Sequence, residues 1–253
     1  MLRLFFVCAL LWVASGCSTT AGYTVANAHS HNDYNRPKPF HNAYALHYGS
    51  IEADIFLDSS GTELLVGHSR EETLGNRRTL DSLYLSPLSY LIQQNGGRVF
   101  KDPKSSLILL IDLKTQAGPT LEVLVNKLRN FPAVINCSTL RIVISGNRPP
   151  PDQFHSYPAY IWFDGRPTES YSDNALQKIA MISTAFPRGG QNKPLSDANE
   201  KSSRAMIEKA HGLGKPFRFW GTPDDAGTWK KLMEWKVDFI NTDKIEELAV
   251  FLN

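Results

Sequence analysis

Short apolar, β-branched runs alternate with longer amphipathic stretches from residue 23 to the C-terminus. That alternation predicts βα units around a parallel sheet. Strands are expected at 24–28, 50–56, 107–112, 140–145, 160–163, 180–184, 217–220 and 239–241. A short extra strand at 63–67 should pair with the second one through a turn at Ser59-Ser60-Gly61. Helices are expected at 42–48, 80–94, 121–130, 152–155, 173–178, 197–213, 226–236 and 245–252. In the third of these, Leu121, Leu124, Val125 and Leu128 share one face. Leu213-Gly214-Lys215-Pro216 stops a helix ahead of a strand. Eight strands with helices between them, in a chain of 253 residues, predict an α/β fold of one (β/α)8 TIM barrel. A doubly wound open sheet is the alternative, but no glycine-rich phosphate loop follows the first strand.

The N-terminus breaks the pattern. Arg3 is followed by the apolar run Leu4 to Ala14, too short to cross a bilayer as a lasting helix. Small residues then lead into Cys17. The expectation is a lipoprotein signal peptide over 1–16, a tether over 17–22 lipidated at Cys17, and the barrel over 23–253. It implies a membrane partner through that lipid anchor, in the outer membrane of a Gram-negative cell envelope, with secretion or a periplasmic location as the alternative. Cys8 falls in the leader, which leaves Cys137 alone, so no internal disulfide is expected and the fold must rest on its core. The formal charge of +2, with no basic block, offers nucleic acid no electrostatic footprint. A monomer is expected.

Residues able to do chemistry collect where strands end. His29 and His31 flank Ser30, and Asn32 and Asp33 follow. Spacing of two on an extended segment puts both imidazoles on one side. Such groups can take a proton from an attacking hydroxyl or give one to a leaving oxygen; alternatively they are two zinc ligands. Glu52 and Asp54 alternate with Ile51, Ala53 and Ile55. In a barrel strand the two carboxylates point inward, where a cation must neutralise them. Oxygen ligands favour Mg²⁺ or Ca²⁺. An edge strand with a solvated acidic face is the bland alternative. His68, after Gly67, is the natural second proton-transfer group. Asp112 ends the most hydrophobic strand and adds a third carboxylate, and Lys114 offers a phosphate oxygen a point charge. An Asp112–Lys114 ion pair is the rival reading, although two residues apart on one strand face is a poor distance for it. Trp220 either floors a pocket or caps the core. His41, His47, His155 and His211 have no supporting constellation and are read as surface or packing residues.

In this order, AHSH (28–31), IEAD (51–54), GHS (67–69) and DLK (112–114) resemble the strand-end motifs of the PLC-like phosphodiesterase superfamily. It includes glycerophosphodiester phosphodiesterases, phosphatidylinositol-specific phospholipases C and sphingomyelinase D-like phospholipases. The apolar lead into DLK and the late FRFWGTPD (217–224) and VDFINTD (237–243) are similar to the sphingomyelinase D branch. AHSHNDY resembles the fungal altered-inheritance-of-mitochondria proteins and their bacterial relatives. The resemblance implies a barrel in which His29 and His68 are the acid/base pair. Glu52, Asp54 and Asp112 would bind one Mg²⁺ or Ca²⁺, His31, Asn32 and Lys114 would contact substrate, and Trp220 would wall the pocket. The arginine that follows the first histidine in glycerophosphodiesterases is Ser30 here, which leaves Asn32 and His31 as phosphate contacts. The Pro-Glu-Asn-Thr segment of that family has no match. The implied function is metal-dependent hydrolysis or cyclising cleavage of a phosphodiester, with a small or lipid substrate of the glycerophosphodiester or phospholipid kind. The rival is a lipoprotein that binds a phosphorylated ligand or glycan without turning it over.

Overall fold

The computed structural model describes residues 22–75, 78–187 and 195–253. The expected leader and Cys17 lie outside the described residues. Among those residues, nine strands join in one sheet. They are β1 (Ala28–Ser30), β2 (Ser50–Leu57), β3 (Leu64–Val66), β4 (Leu107–Leu113), β5 (Leu140–Gly146), β6 (Ile161–Gly165), β7 (Ile179–Ala185), β8 (Phe217–Trp220) and β9 (Ile240–Thr242). Eight of them run parallel to their neighbours in the order β8-β7-β6-β5-β4-β2-β1-β9. The two ends of that row meet. Phe217 O accepts hydrogen bonds from Asp238 N at 3.0 Å and Phe239 N at 3.2 Å, and Arg218 bridges to Phe239. The sheet is a nearly closed eight-stranded TIM barrel, and β3 pairs antiparallel with β2 outside the ring.

Strand alternation sorts the side chains into two cores. Ile51, Ala53, Ile55, Leu109, Ile111, Ile142, Ile144, Phe217 and Phe219 point outward and are buried under the surrounding helices. Ile108, Leu110, Val143, Ala180 and Met181 fill the barrel interior, with Trp162 and Phe239 packed against them. Above that apolar layer, toward the strand C-termini, the inward residues turn polar: His29, Glu52, Asp54, Ser145, Asp164, Ser183, Arg218 and Asn241 are all buried. Registers put Asp54 beside Asp112, and Asp112 beside Ser145.

Most elements match the periodicity, with local exceptions. The first strand was expected over 24–28, yet Val25–Asn27 forms a 3₁₀ turn and pairing begins at Ala28. Thr24 and Asn27 cap each other's backbone there, which favours a turn over extension. The helix expected at 80–94 opens as a π-turn, Asp81–Leu85, before Ser86–Gln94. Arg70–Thr73 and Pro132–Ile135 are short helices that the pattern does not announce. The loop after β1 folds back over the barrel because Asp33, fully buried, accepts hydrogen bonds from Ser30 Oγ (2.9 Å), Phe40 N (2.5 Å) and Tyr84 Oη (3.0 Å).

Gly146, the last residue of β5, has φ +69°, and a Cβ there would lie 1.7 Å from Asp112 Oδ1 and 2.6 Å from Leu113 O. Gly146→Ala should therefore destabilise the barrel by roughly 2 kcal/mol or more, from the left-handed backbone and the clash together. Thermal melting checks this; an unchanged midpoint would mean that the β4–β5 mouth relaxes freely.

Candidate active site

The C-terminal mouth of the barrel holds a cavity of about 350 Å³ lined by residues from seven strand ends or the loops just beyond them. On one wall, Glu52 and Asp54 from β2 meet Asp112 from β4, with one carboxylate oxygen of each within 4.8 Å of the others. Among the described residues this is the one group of three or more His, Cys, Asp or Glu side chains close enough to share a cation. Asp54 Oδ1 and Asp112 Oδ1 are buried with no hydrogen-bond partner. A set of acidic oxygens, two of them orphaned in the interior, fits a hard divalent cation. The zinc alternative for His29 and His31 is not assembled, since both nitrogens of His29 face protein partners.

The three expected histidines and Asn32 occupy different depths. His29 is fully buried and does not line the cavity. Its Nδ1 lies 2.7 Å from Ser50 Oγ, and its Nε2 lies 2.7 Å from Arg218 Nη1 and 3.3 Å from Glu52 Oε2. His31 does line the cavity; its Nδ1 is 2.9 Å from Asp243 Oδ1 and its Nε2 is 3.7 Å from Glu52 Oε2. Asn32, in a left-handed conformation, reaches both His31 Nδ1 (2.9 Å) and Asp243 Oδ1 (3.2 Å). His68 sits across the cavity with its side chain 62% exposed, 3.2 Å from Tyr34 Oη and 3.6 Å from Asp54 Oδ2. Its backbone N–H donates to Glu72.

Lys114 corrects one expectation. Its Nζ is 2.9 Å from Asp54 Oδ2 and 3.0 Å from Asp112 Oδ2, so the ion pair considered a poor fit forms after all. The flexible four-carbon stem bends back past the strand end, which a rigid picture of strand faces ignores. Trp220 lines the cavity at 43% exposure and so belongs to the pocket wall and not to the core. Of the other histidines, His47 stacks on Phe100 and His211 pairs with Asp238, in line with packing and surface roles.

Several residues of the mouth were not singled out from the sequence. Arg218 alternates with Phe217 and Phe219 on β8, a period-two signal that marks an inward side chain. Asp164 and Arg166 were missed because β6 was expected to end at 163, whereas it runs to Gly165. Asp243 meets His31 across 212 positions of sequence, and no local signal could have joined them.

Charge in this polar layer sets its protonation. Burial, then the Arg218 guanidinium, push His29 down to about 4, and the neighbouring Glu52 only partly opposes them. Burial also works against the charged form of Glu52, but the His29 hydrogen bond and the charges of His31 and Arg218 outweigh it and hold the carboxyl well below its usual range. Asp54 and Asp112 shift the other way: burial and the nearby Glu52 charge raise both, against the relief that Lys114 provides. Burial alone would lower His31, yet the bond to Asp243 and the charges of Glu52 and Asp243 raise it above its ordinary value.

Eight parallel strands with this mouth define a barrel of the PLC-like phosphodiesterase class. Residues 18–134 match the AIM6-like phosphodiesterase domain, and residues 216–246 match the glycerophosphoryl diester phosphodiesterase family. An altered inheritance of mitochondria protein 6 homolog from Arthroderma benhamiae is 41% identical, with 89% of this chain and 83% of that protein aligned. The protein of that name from Eremothecium gossypii is 26% identical, over 90% of this chain and 69% of its own length. Among solved structures, a glycerophosphodiester phosphodiesterase from Parabacteroides distasonis superposes with a TM-score of 0.55 at 17% identity, over 89% of this chain and 94% of that one. A Ca²⁺-dependent phosphatidylinositol-specific phospholipase C from Streptomyces antibioticus gives 0.51 at 11%, over 91% and 98%. At such identities these two likenesses concern the fold. The chain belongs to the altered inheritance of mitochondria protein 6 family, whose domain is phosphodiesterase-like.

These curated relatives are yeast and fungal proteins, which overturns the placement in a Gram-negative outer membrane. That expectation rested on a few small residues before one cysteine, a pattern with little information in it, and Cys17 lies outside the described residues.

His29 generates a stability prediction. Its folded value lies below that of the unfolded chain, so protonation favours unfolding, and stability should be lost as pH falls from about 6.5 toward 4. The full loss attributable to this group is about 3 kcal/mol. Urea unfolding between pH 7.5 and 4 should show a shallower decline in His29→Gln; equal slopes in both proteins would refute a buried, neutral His29.

Proposed function

We propose that this protein is a divalent-cation-dependent phosphodiesterase acting on a small or lipid-like phosphodiester. The observation that carries this reading is the meeting of Glu52, Asp54 and Asp112 with His31, His68 and Lys114 in one cavity. Glu52, Asp54 and Asp112 would hold the cation, which supplies charge stabilisation to the phosphoryl oxygens when bound. The Ca²⁺ dependence of the Streptomyces antibioticus enzyme supports a hard cation here.

The chain's own groups do the rest. A hydroxyl, from water or from the substrate, attacks phosphorus and gives its proton to a histidine. The new O–P bond forms as the bond to the leaving alcohol breaks, and a second histidine delivers a proton to the leaving oxygen. His68 is one of the two, with Tyr34 Oη against its Nδ1. For the other, access favours His31 over His29. His31 borders the cavity and is oriented by Asp243, while His29 lies behind Glu52 and is engaged by Ser50 and Arg218. His29 then acts as a positioning residue that holds Glu52 in place. Lys114 balances the acids and lends charge to the phosphoryl group, and Trp220 walls the alcohol side.

Three measurements test this. His31→Ala and His68→Ala should each lower kcat by about 10² to 10⁴ on a cleaved phosphodiester, and their double variant should cost much less than the product of the two. Full activity in either single variant would remove that histidine from the mechanism. Separately, Ca²⁺ or Mg²⁺ should raise the melting temperature of the chelator-treated protein, and Asp112→Asn should abolish that rise. A panel of phosphodiesters, assayed with and without chelator, identifies the substrate; cleavage insensitive to chelator would reject the cation.

A further inference from the structure

Two strands on from Asp112, the cavity is bounded by Arg166, just beyond β6. This arginine is held from both ends. Its Nη1 donates to Asp164 Oδ2 at 2.7 Å and Gly165 O at 2.9 Å, with Ser183 Oγ at 3.3 Å. Asp164 is fully buried and also accepts hydrogen bonds from Ser145 Oγ (2.8 Å) and Ser183 Oγ (2.5 Å). On the backbone side, Arg166 N lies 2.6 Å from Tyr171 Oη, and Arg166 O lies 2.8 Å from the same oxygen. Glu169, which accepts from Arg166 N at 3.1 Å, is itself clamped by Arg148 at 2.6 and 2.8 Å.

The result is a guanidinium anchored along one edge. Its other edge, Nη2, has a single long contact of 3.3 Å to Ser145 Oγ. The neighbouring cations differ from it in pairing or access, and Arg218 keeps a buried, unpartnered Nε. Lys114 sits between two carboxylates, and Arg218 is 2% exposed and donates to His29 and Asn241. Ser145 is the register partner of Asp112, so Nη2, at Ser145 Oγ, borders the strand next to the one that carries Asp112. A phosphoryl group bound in the cavity would turn one non-bridging oxygen toward the triad and another toward Nη2. Planar, multiply hydrogen-bonded arginine is suited to hold such an oxyanion in a fixed direction.

We propose that Arg166, oriented by buried Asp164, is the phosphoryl clamp of this cavity, binding a non-bridging oxygen of the substrate other than the one turned toward Glu52, Asp54 and Asp112. The assignment rests on the phosphodiesterase reading for its substrate class but not for its anion chemistry.

The test is calorimetric binding of inorganic phosphate to the full chain in chelator, which needs neither cation nor turnover. Wild type should bind, Arg166→Gln should bind at least about tenfold more weakly, and Arg166→Lys should fall between them, since lysine keeps the charge and loses the fork. Lys230→Gln, on an exposed helix position, should match wild type. Melting curves of each variant establish that it is folded; if Arg166→Gln is not, Arg166→Lys alone decides. Phosphate binding that is absent in wild type, or equal in wild type and the tested arginine variant, would overturn the clamp. On a cleaved phosphodiester, Arg166→Lys should raise KM and lower kcat/KM by about tenfold or more. Cleavage unaffected by either arginine variant rejects the clamp and leaves the phosphodiesterase reading intact. Arg166-dependent phosphate binding, with no phosphodiester cleaved, supports the clamp and rejects that reading.

Discussion

Three carboxylates that converge inside a barrel are the constraint from which the rest of the mouth follows. Glu52 and Asp54 are nearly inaccessible, and Asp112 joins them one strand away. Like charges so close in a low-dielectric interior repel strongly. Each neighbouring cation answers that repulsion: Lys114 against Asp54 and Asp112, His31 near Glu52, and Arg218 behind His29. Even so, Asp54 and Asp112 keep raised proton affinities and orphaned oxygens. A fold that served stability alone would fill this layer with side chains like Leu110 and Val143 just below it.

The polar layer divides into two networks with different work. One runs from Ser50 through His29 to Arg218, Asn241 and Glu52, and it lies beneath the cavity. Its members touch one another more than they touch solvent, so it sets the position of Glu52. The second links Ser145, Asp164, Ser183 and Arg166 and comes up to the cavity rim. Beside them stands the His31–Asn32–Asp243 group, built from the loops that follow the paired strands β1 and β9. Pairing of the first strand with the last is thus also the step that completes this part of the candidate site. The Asp33 latch matters for the same reason, because it fixes the loop that carries His31 and Asn32.

Separating the access of His29 from that of His31 changes how the AHSH segment is understood. On an extended strand both imidazoles face one way, and that much holds. The chain then turns sharply at Asn32, with φ 47°, so the second imidazole rises to the mouth while the first remains below. Two identical side chains thereby receive opposite shifts, one lowered by burial and a guanidinium, the other raised by carboxylates.

The sequence by itself determined the architecture and the acidic wall. Period-two alternation between apolar and polar residues is a local property, so β2 and β4 could be read with their inward Glu52, Asp54 and Asp112, and eight such runs imply a barrel. Strand ends were legible only to a residue or two, which is why Asp164 and Arg166 escaped notice just past an expected boundary. Depth was not legible at all: nothing near His29 or His31 says which one reaches the cavity. The His31–Asp243 contact, the Arg218–His29 contact and the bent-back Lys114 depend on which strand ends become neighbours when the sheet closes. Those are long-range distances set by tertiary packing, and no local pattern along the chain encodes them.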